Sequence, residues 1–253
     1  MKIDKVIHSC DNNPFYMEFW PLVARVWKEK FDIEPHLIYI AEKKDLDVDL
    51  DETYGTVQRI EQLPDVPIYL QVLWCRYFFP SLELEKVSMI SDIDMFPISK
   101  EYFVDQIANI DDNKYVHLNP CIDSYGTLPS CYHVAKGKKF KEVLELPDDW
   151  EKSVKMVMNS GLGSDPGAHL AGKEHWFADE RYASLKVAKY PKKWDLEFVQ
   201  RNGGQNGRRI DRSRWQYDPN LVRQGWYYDS HSIRPYSNFK KEVDELIGHI
   251  LNE

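Results

Sequence analysis

Val87-Ser88-Met89-Ile90-Ser91-Asp92-Ile93-Asp94-Met95-Phe96-Pro97 is the stretch that decides the fold. A short apolar run, Val87 to Ile90, reads as a buried strand and leads directly into two aspartates one residue apart. In extended backbone such residues project to the same side, so both carboxylates reach one cation beyond the carboxyl end of the strand. Open α/β sheets bind their ligands at that end. Paired hard oxygens suit Mg²⁺ or Mn²⁺, which leave coordination positions for phosphate oxygens. Met95-Phe96-Pro97 then sets an apolar wall beside the acids, where a solvated loop would be polar.

Outward from this point, strands and helices alternate. Lys5 to His8 forms a strand that breaks at the polar loop Ser9 to Pro14. Apolar residues from Phe15 to Trp27 recur at helical spacing, with Pro21 kinking or splitting that helix. His36 to Ile40 reads as a second buried strand. Lys43 to Glu52 is acidic and solvated, without the glycine and terminal acid of a calcium loop. Ile68 to Phe79 is an apolar helix carrying Gln71 and Arg76 and ending near Pro80. Ser99 caps a helix through Ile107, Tyr115 to Leu118 is a strand, and helices follow at Lys138 to Leu146 and Glu242 to Leu251. Between these last two lie a glycine-rich stretch, Asn159 to Gly167, suited to a lid, and a hairpin around Asn202-Gly203-Gly204. Alternation of this kind predicts a layered α/β domain.

The 253 residues accommodate one sizeable core, and 43% apolar content argues against disorder. A formal charge of −8 disfavours a polynucleotide partner, which needs basic surface. Cys10, Cys75, Cys121 and Cys131 show no Cys-x-x-Cys spacing and are too few for a disulfide framework, which points to a reducing compartment. No run of about eighteen apolar residues is present, so no membrane span is expected. Nor is there a Gly-x-Ser-x-Gly elbow, a His-Glu-x-x-His zinc helix or a Walker loop.

Val87 to Pro97 resembles the metal-binding segment of nucleotide-diphospho-sugar glycosyltransferases of the GT-A fold. Ile3 to Trp27 resembles their opening strand, loop and helix, which implies that Ser9, Asp11 and Asn12 contact the nucleoside. Ile68 to Pro80 resembles the helix before the metal strand, with Arg76 matching a basic residue that supports the donor. Tyr228 to Tyr236 resembles their late histidine segment, which makes His231 a third metal ligand beside Asp92 and Asp94 and places Arg234, with Asp92, on the donor diphosphate.

His175-Trp176-Phe177-Ala178-Asp179-Glu180-Arg181 matches the place where these enzymes set an acid toward acceptor or sugar. Asp179 or Glu180 then serves as the general base of an inverting enzyme, or binds donor hydroxyls in a retaining one; both also read as an acidic helix start. The arginines 201, 208, 209, 212 and 214 form either a clamp or a solvated hairpin, and Tyr132 and His133 either line the acceptor cleft or fill the core.

The resemblance covers about half of the chain and is nearest to single-domain viral and bacterial members. It implies a GT-A-like three-layer α/β/α sandwich with a central mixed, mainly parallel sheet, formed as one catalytic domain over 1–253. The nucleotide-binding half runs to about residue 110 and the acceptor-binding half from about 111. The expected cofactor is Mn²⁺, which an imidazole ligand favours, or Mg²⁺. The donor is a UDP-sugar ahead of a GDP-sugar and the acceptor a glycan or other hydroxyl, in the cytoplasm, or the host cytoplasm if the source is viral. Two other readings stay open: an Asp-x-Asp phosphatase or phosphotransferase, against which Met95 after the second aspartate speaks, and a carbohydrate-binding protein without catalysis.

Overall fold

The computed structural model describes residues 1–119, 127–163, 174–202 and 207–252. Strand β1 (Lys5–Cys10) leads through the loop at Asn13 into α1 (Pro14–Met17) and α2 (Trp20–Phe31), then β2 (Glu34–Ala41). The chain splits the first helical region in two, and Pro21 falls in the first turn of α2, where its missing N–H costs nothing. Asp32, at φ 54°, ends α2 in the left-handed conformation. Strand β3 (Thr56–Glu61) precedes α3 (Ile68–Leu82), which runs two residues past Pro80.

Strand β4 (Val87–Ile90), β5 (Met95–Pro97), α4 (Lys100–Phe103), β6 (Tyr115–Leu118) and β7 (His133–Lys136) follow. Ser99 caps α4 as expected, its hydroxyl accepting from the Tyr102 N–H at 3.3 Å. Next come α5 (Gly137–Leu144), α6 (Trp150–Met158), α7 (Ala178–Lys189), β8 (Leu196–Val199), β9 (Arg209–Asp211), α8 (Pro219–Arg223), β10 (Asp229–His231) and α9 (Lys240–Leu251).

Seven strands form the central sheet in the order β3-β2-β1-β4-β7-β6-β8. Pairing is parallel except along β7, which runs antiparallel to both β4 and β6. A small second sheet has the order β5-β10-β9, with β10 antiparallel to β5 and parallel to β9.

The period of two along each strand sorts the core into layers. On β2, Leu37, Tyr39 and Ala41 join the cluster that holds Trp20, Trp27, Phe103 and Leu246 from α2, α4 and α9. Ile38 and Ile40 face the other way, onto Cys75 of α3. On β7, Val134 belongs to the first face and Ala135 to the second, with Trp74, Phe140, Val154 and Tyr182 of α3, α5, α6 and α7. The result is a three-layer α/β/α sandwich with a mixed, mainly parallel sheet, the architecture that the resemblance implies.

Gln71, buried in the apolar α3, is fully used: its amide donates to Leu63 O and Val66 O at 3.0 and 2.8 Å, and its carbonyl accepts from the Leu63 N–H at 2.9 Å. It thereby fixes the loop entering α3. The hairpin expected around 202–204 falls partly on residues outside those described, and its flanks do not pair with each other. Strand β8 lies in the central sheet and β9 in the small one, because β10 supplies β9 with a parallel partner. The expected lid, 159–167, also falls mostly outside the described residues, as does Cys121.

Candidate active site

At the carboxyl ends of β1 and β4 lies a cavity of about 580 Å³. The Asp-x-Asp segment at its rim is a turn and not the extended backbone expected: Met95 N–H donates back to Asp92 O at 3.2 Å, and Ser91 N–H still bonds Ile7 O of β1 at 3.0 Å. Ile93 is buried in the core and drives the turn inward. Both aspartates still line the cavity, but each meets a different set of partners.

Asp92 faces α3. Its carboxylate accepts from the Arg76 guanidinium, and its N–H donates to Cys131 Sγ at 3.1 Å. Burial alone pushes this carboxyl up, but Arg76, Cys131 and His231 outweigh it and hold the group below the usual range. Arg76, itself buried, lies between two acids, with Asp179 Oδ2 3.8 Å from its other nitrogen. Its pairing with Asp92 and Asp179 outweighs desolvation, so it stays charged.

Asp94 faces the small sheet and is anchored by the residue that follows β10: Ser232 N–H donates to Asp94 O at 2.9 Å. One carboxylate oxygen, Oδ2, collects Arg234 at 3.1 Å, Arg212 at 3.4 Å and His231 Nε2 at 3.6 Å. Arg234 also stacks on Tyr16, 4.9 Å from the ring centre. On the other side of His231, Nδ1 lies 3.5 Å from Asp211 Oδ2.

Across the cavity, Asp179 and Glu180 occupy the first turn of α7, and Ser130 ties both: its N–H donates to Glu180 Oε1 at 2.8 Å and its hydroxyl to Asp179 Oδ2 at 3.2 Å. Asp179 Oδ1 is buried and has no hydrogen-bond partner among the described residues. Desolvation raises Asp179 to about 6, against the pull of Arg76, and desolvation together with the charge of Asp179 raises Glu180 to about 7. These are groups poised to hold or accept a proton near neutrality. Tyr69 and Trp176, ring centres 5.8 Å apart, and Phe177 form the apolar side of the same cavity.

Of the residues singled out in the sequence, Ser9, Asp11, Arg76, Asp92, Asp94, Asp179, Glu180, His231 and Arg234 all line this one space. Asn12 does not: its amide turns away to Asp45 Oδ2 at 3.1 Å, on the exposed side of the loop. The Ser9 hydroxyl is committed to Val72 O at 2.7 Å. Tyr132 and His133 are core residues. The arginine cluster divides, with only Arg212 reaching the cavity. Arg201 and Arg209 grip the buried Asp229, and Arg208 stacks on Trp226 and Tyr228. The sequence does not single out Ser130 or Asp211, since neither has a motif around it and each meets its partners, the α7 acids and His231, only through the fold.

Among the described residues no group of three or more His, Cys, Asp or Glu side chains forms a ready-made metal cage. The donors at hand nevertheless fit a divalent ion of the kind that takes few protein ligands. Asp94 and His231 offer an oxygen and a nitrogen 3.6 Å apart on the cavity that Asp92 also lines. Ions such as Mg²⁺ bind through one or two carboxylates and complete their shell with substrate phosphates and water.

The three-layer α/β/α sandwich with its mixed, mainly parallel sheet resembles the GT-A-like glycosyltransferase fold. In particular, the apo-form glycosyltransferase GlyE of Streptococcus pneumoniae TIGR4 matches the whole of this chain at 10% identity, with a TM-score of 0.51. The chain spans 63% of the length of GlyE. A galactosyltransferase LgtC in complex with donor and acceptor sugar analogs matches more loosely, with a TM-score of 0.48 at 13% identity over 96% of this chain and 95% of LgtC. At such identity the likeness to GlyE concerns the fold alone. No protein-family model matches the chain, and no curated protein sequence matches it.

Proposed function

We propose that this protein is a cytoplasmic, metal-dependent glycosyltransferase moving a sugar from a nucleoside-diphosphate donor, a UDP-sugar ahead of a GDP-sugar, to an acceptor hydroxyl on a glycan. The observation that carries this reading is the meeting, in one cavity, of the acids at the end of β4, two cations from late in the chain and a second acid pair on α7. No helix among the described residues is long and apolar enough to cross a membrane.

In this reading Asp92, Asp94 and His231 hold a divalent ion, Mn²⁺ ahead of Mg²⁺. Such an ion would supply charge neutralisation to the departing diphosphate. Arg234 and Arg212, already at the rim on Asp94, take diphosphate oxygens and stabilise the negative charge that grows as the glycosidic bond breaks. Arg76 keeps Asp92 ionised and in place. Ser9 and Asp11 flank the nucleoside. Asp179 or Glu180 accepts the proton of the attacking hydroxyl, or binds donor hydroxyls if configuration is retained, and Ser130 fixes both carboxyls for that task. Tyr69 and Trp176 offer aromatic faces to a sugar ring.

Thermal unfolding with a panel of nucleotide sugars, with and without Mn²⁺, tests the proposal, because a ligand that prefers the folded state raises Tm by mass action. A rise with one donor that needs the metal, together with nucleoside diphosphate release on adding acceptor, is the expected result. A panel in which no nucleotide sugar moves Tm in either condition rejects it.

A further inference from the structure

Two carboxylates bracket the His231 ring, one at each nitrogen. Strands β9 and β10 run parallel with Asp211 opposite His231, which brings Asp211 Oδ2 to 3.5 Å from Nδ1, while Asp94 Oδ2 stands 3.6 Å from Nε2. The two acids are not equivalent. Asp94 Oδ2 is shared with Arg234 and Arg212 and faces the cavity. Asp211 stands behind the ring, aimed by a local turn: its Oδ1 accepts the Ser213 N–H at 2.9 Å, and its backbone carbonyl takes Arg214 N–H and Trp215 N–H at 3.0 and 2.8 Å. That turn leaves Oδ2 free of the Ser213 bond and 3.5 Å from Nδ1, a charge contact longer than a normal hydrogen bond.

A neutral imidazole carries one N–H, and the hydrogen bond or contact at one nitrogen selects the state of the other. A carboxylate can only accept. With its charge divided between two guanidiniums, Asp94 competes weakly for the ring proton, whereas Asp211 offers its Oδ2 to Nδ1. We propose that Asp211 is a positioning residue: it holds His231 in the Nδ1–H tautomer and so presents the Nε2 lone pair to the cavity beside Asp94. This rests on the reading of His231 as a cation ligand, for which a neutral ring with a free lone pair is required.

Asp211→Asn is the discriminating variant. It keeps Oδ1 for Ser213 and exchanges only the acceptor facing Nδ1 for an N–H donor, which turns the ring proton to Nε2 and against Asp94. The measurement is made first without metal, by long-range proton–nitrogen NMR of the His231 ring at a pH where it is neutral. The wild type shows a protonated Nδ1 and a bare Nε2, and D211N shows the reverse. Titration with Mn²⁺ alone, followed by its paramagnetic resonance, then shows binding weakened about 10- to 100-fold in D211N, the range typical of lost outer partners of metal ligands. An Nε2–H tautomer in the wild type overturns the proposal by itself, whether or not the variant folds. Unchanged tautomer or unchanged Mn²⁺ affinity in folded D211N overturns it as well. His231→Ala separates the two layers: if that variant binds Mn²⁺ as the wild type does, His231 is no ligand and the purpose assigned to Asp211 falls with it, even where the tautomer stands.

Discussion

Arg234 donates through Nη1 to Asp94 Oδ2 at 3.1 Å, across a separation of 140 residues. The contact closes the cavity rim between the end of β4 and the segment after β10. Asp94→Ala removes the oxygen on which Arg234, Arg212 and His231 converge. Donor turnover is expected to fall at least about 100-fold, the scale of losing one aligned electrostatic contact at a reacting centre. Global stability changes little, because both arginines remain partly open to water. Nucleotide release and a urea melt measure the two effects, and wild-type turnover in this variant refutes the site.

Arg76 presents a different case, since it is enclosed. Replacing it with Met leaves Asp92 and Asp179 without their shared cation. Leaving the buried Asp179 unpaired costs up to about 3–5 kcal/mol, while the half-exposed Asp92 is screened by water and adds less. A urea denaturation midpoint equal to wild type would show that the Arg76 contacts contribute nothing.

The α7 acids make stability depend on pH in an unusual direction. Asp179 and Glu180 rise from ordinary values of 3.8 and 4.5 to about 6 and about 7. Between about pH 4 and pH 7 the folded protein therefore holds more protons than the unfolded chain, so this pair's contribution falls as pH rises and is least favourable above pH 7. Asp179→Asn is expected to gain stability over the wild type at pH 8 relative to pH 5. The difference between the two urea midpoints, followed against pH, isolates the pair from other carboxylates. A difference that does not vary with pH refutes the assignment.

Asp229 behaves oppositely. Burial pushes it up, but Arg201 and Arg209 dominate and hold it far below the usual carboxylate range; Tyr132 adds a hydrogen bond at 2.8 Å. Its contribution is present above about pH 4 and lost only in strong acid. Asp229→Ala takes a shared carboxylate away from two buried guanidiniums, with an expected loss of about 3–5 kcal/mol. Calorimetry at neutral pH checks it: a Tm within a degree or so of wild type removes the network from the fold's support.

Gly137 opens α5 where the end of α3 leaves no room. A Cβ there would stand 2.4 Å from both Pro80 O and Glu83 O. Gly137→Ala must push the helices apart, at about 1–3 kcal/mol. An unchanged denaturation midpoint contradicts that packing.

The strands β1, β2, β4 and β6 were legible because they are central, buried on both faces and written as apolar runs. Strand β3 was not, since an edge strand is half solvated and its Thr56–Glu61 sequence carries no such run. Nor was β7, whose antiparallel place between β4 and β6 depends on neighbours distant in sequence. Of the candidate site, the acids at the end of β4 and the late His-Arg segment stood out by type and position. The sequence could not tell that Asn12 turns to Asp45, nor decide between cleft and core for Tyr132, because a polar loop residue and a tyrosine look alike whether they face a cavity or another part of the chain.

Local chemistry thus determined the layered α/β architecture and placed Asp92 and Asp94 at the carboxyl end of a buried strand, since hydrophobic period and strand-end polarity are properties of neighbouring residues. Only the tertiary structure decided what those acids meet. The turn at Ile93 parts them, Arg76 claiming one and Arg234 the other, and the pairing of β9 with β10 sets Asp211 behind His231. Contacts of this kind depend on the register between segments far apart in the chain, which residue type and spacing do not encode.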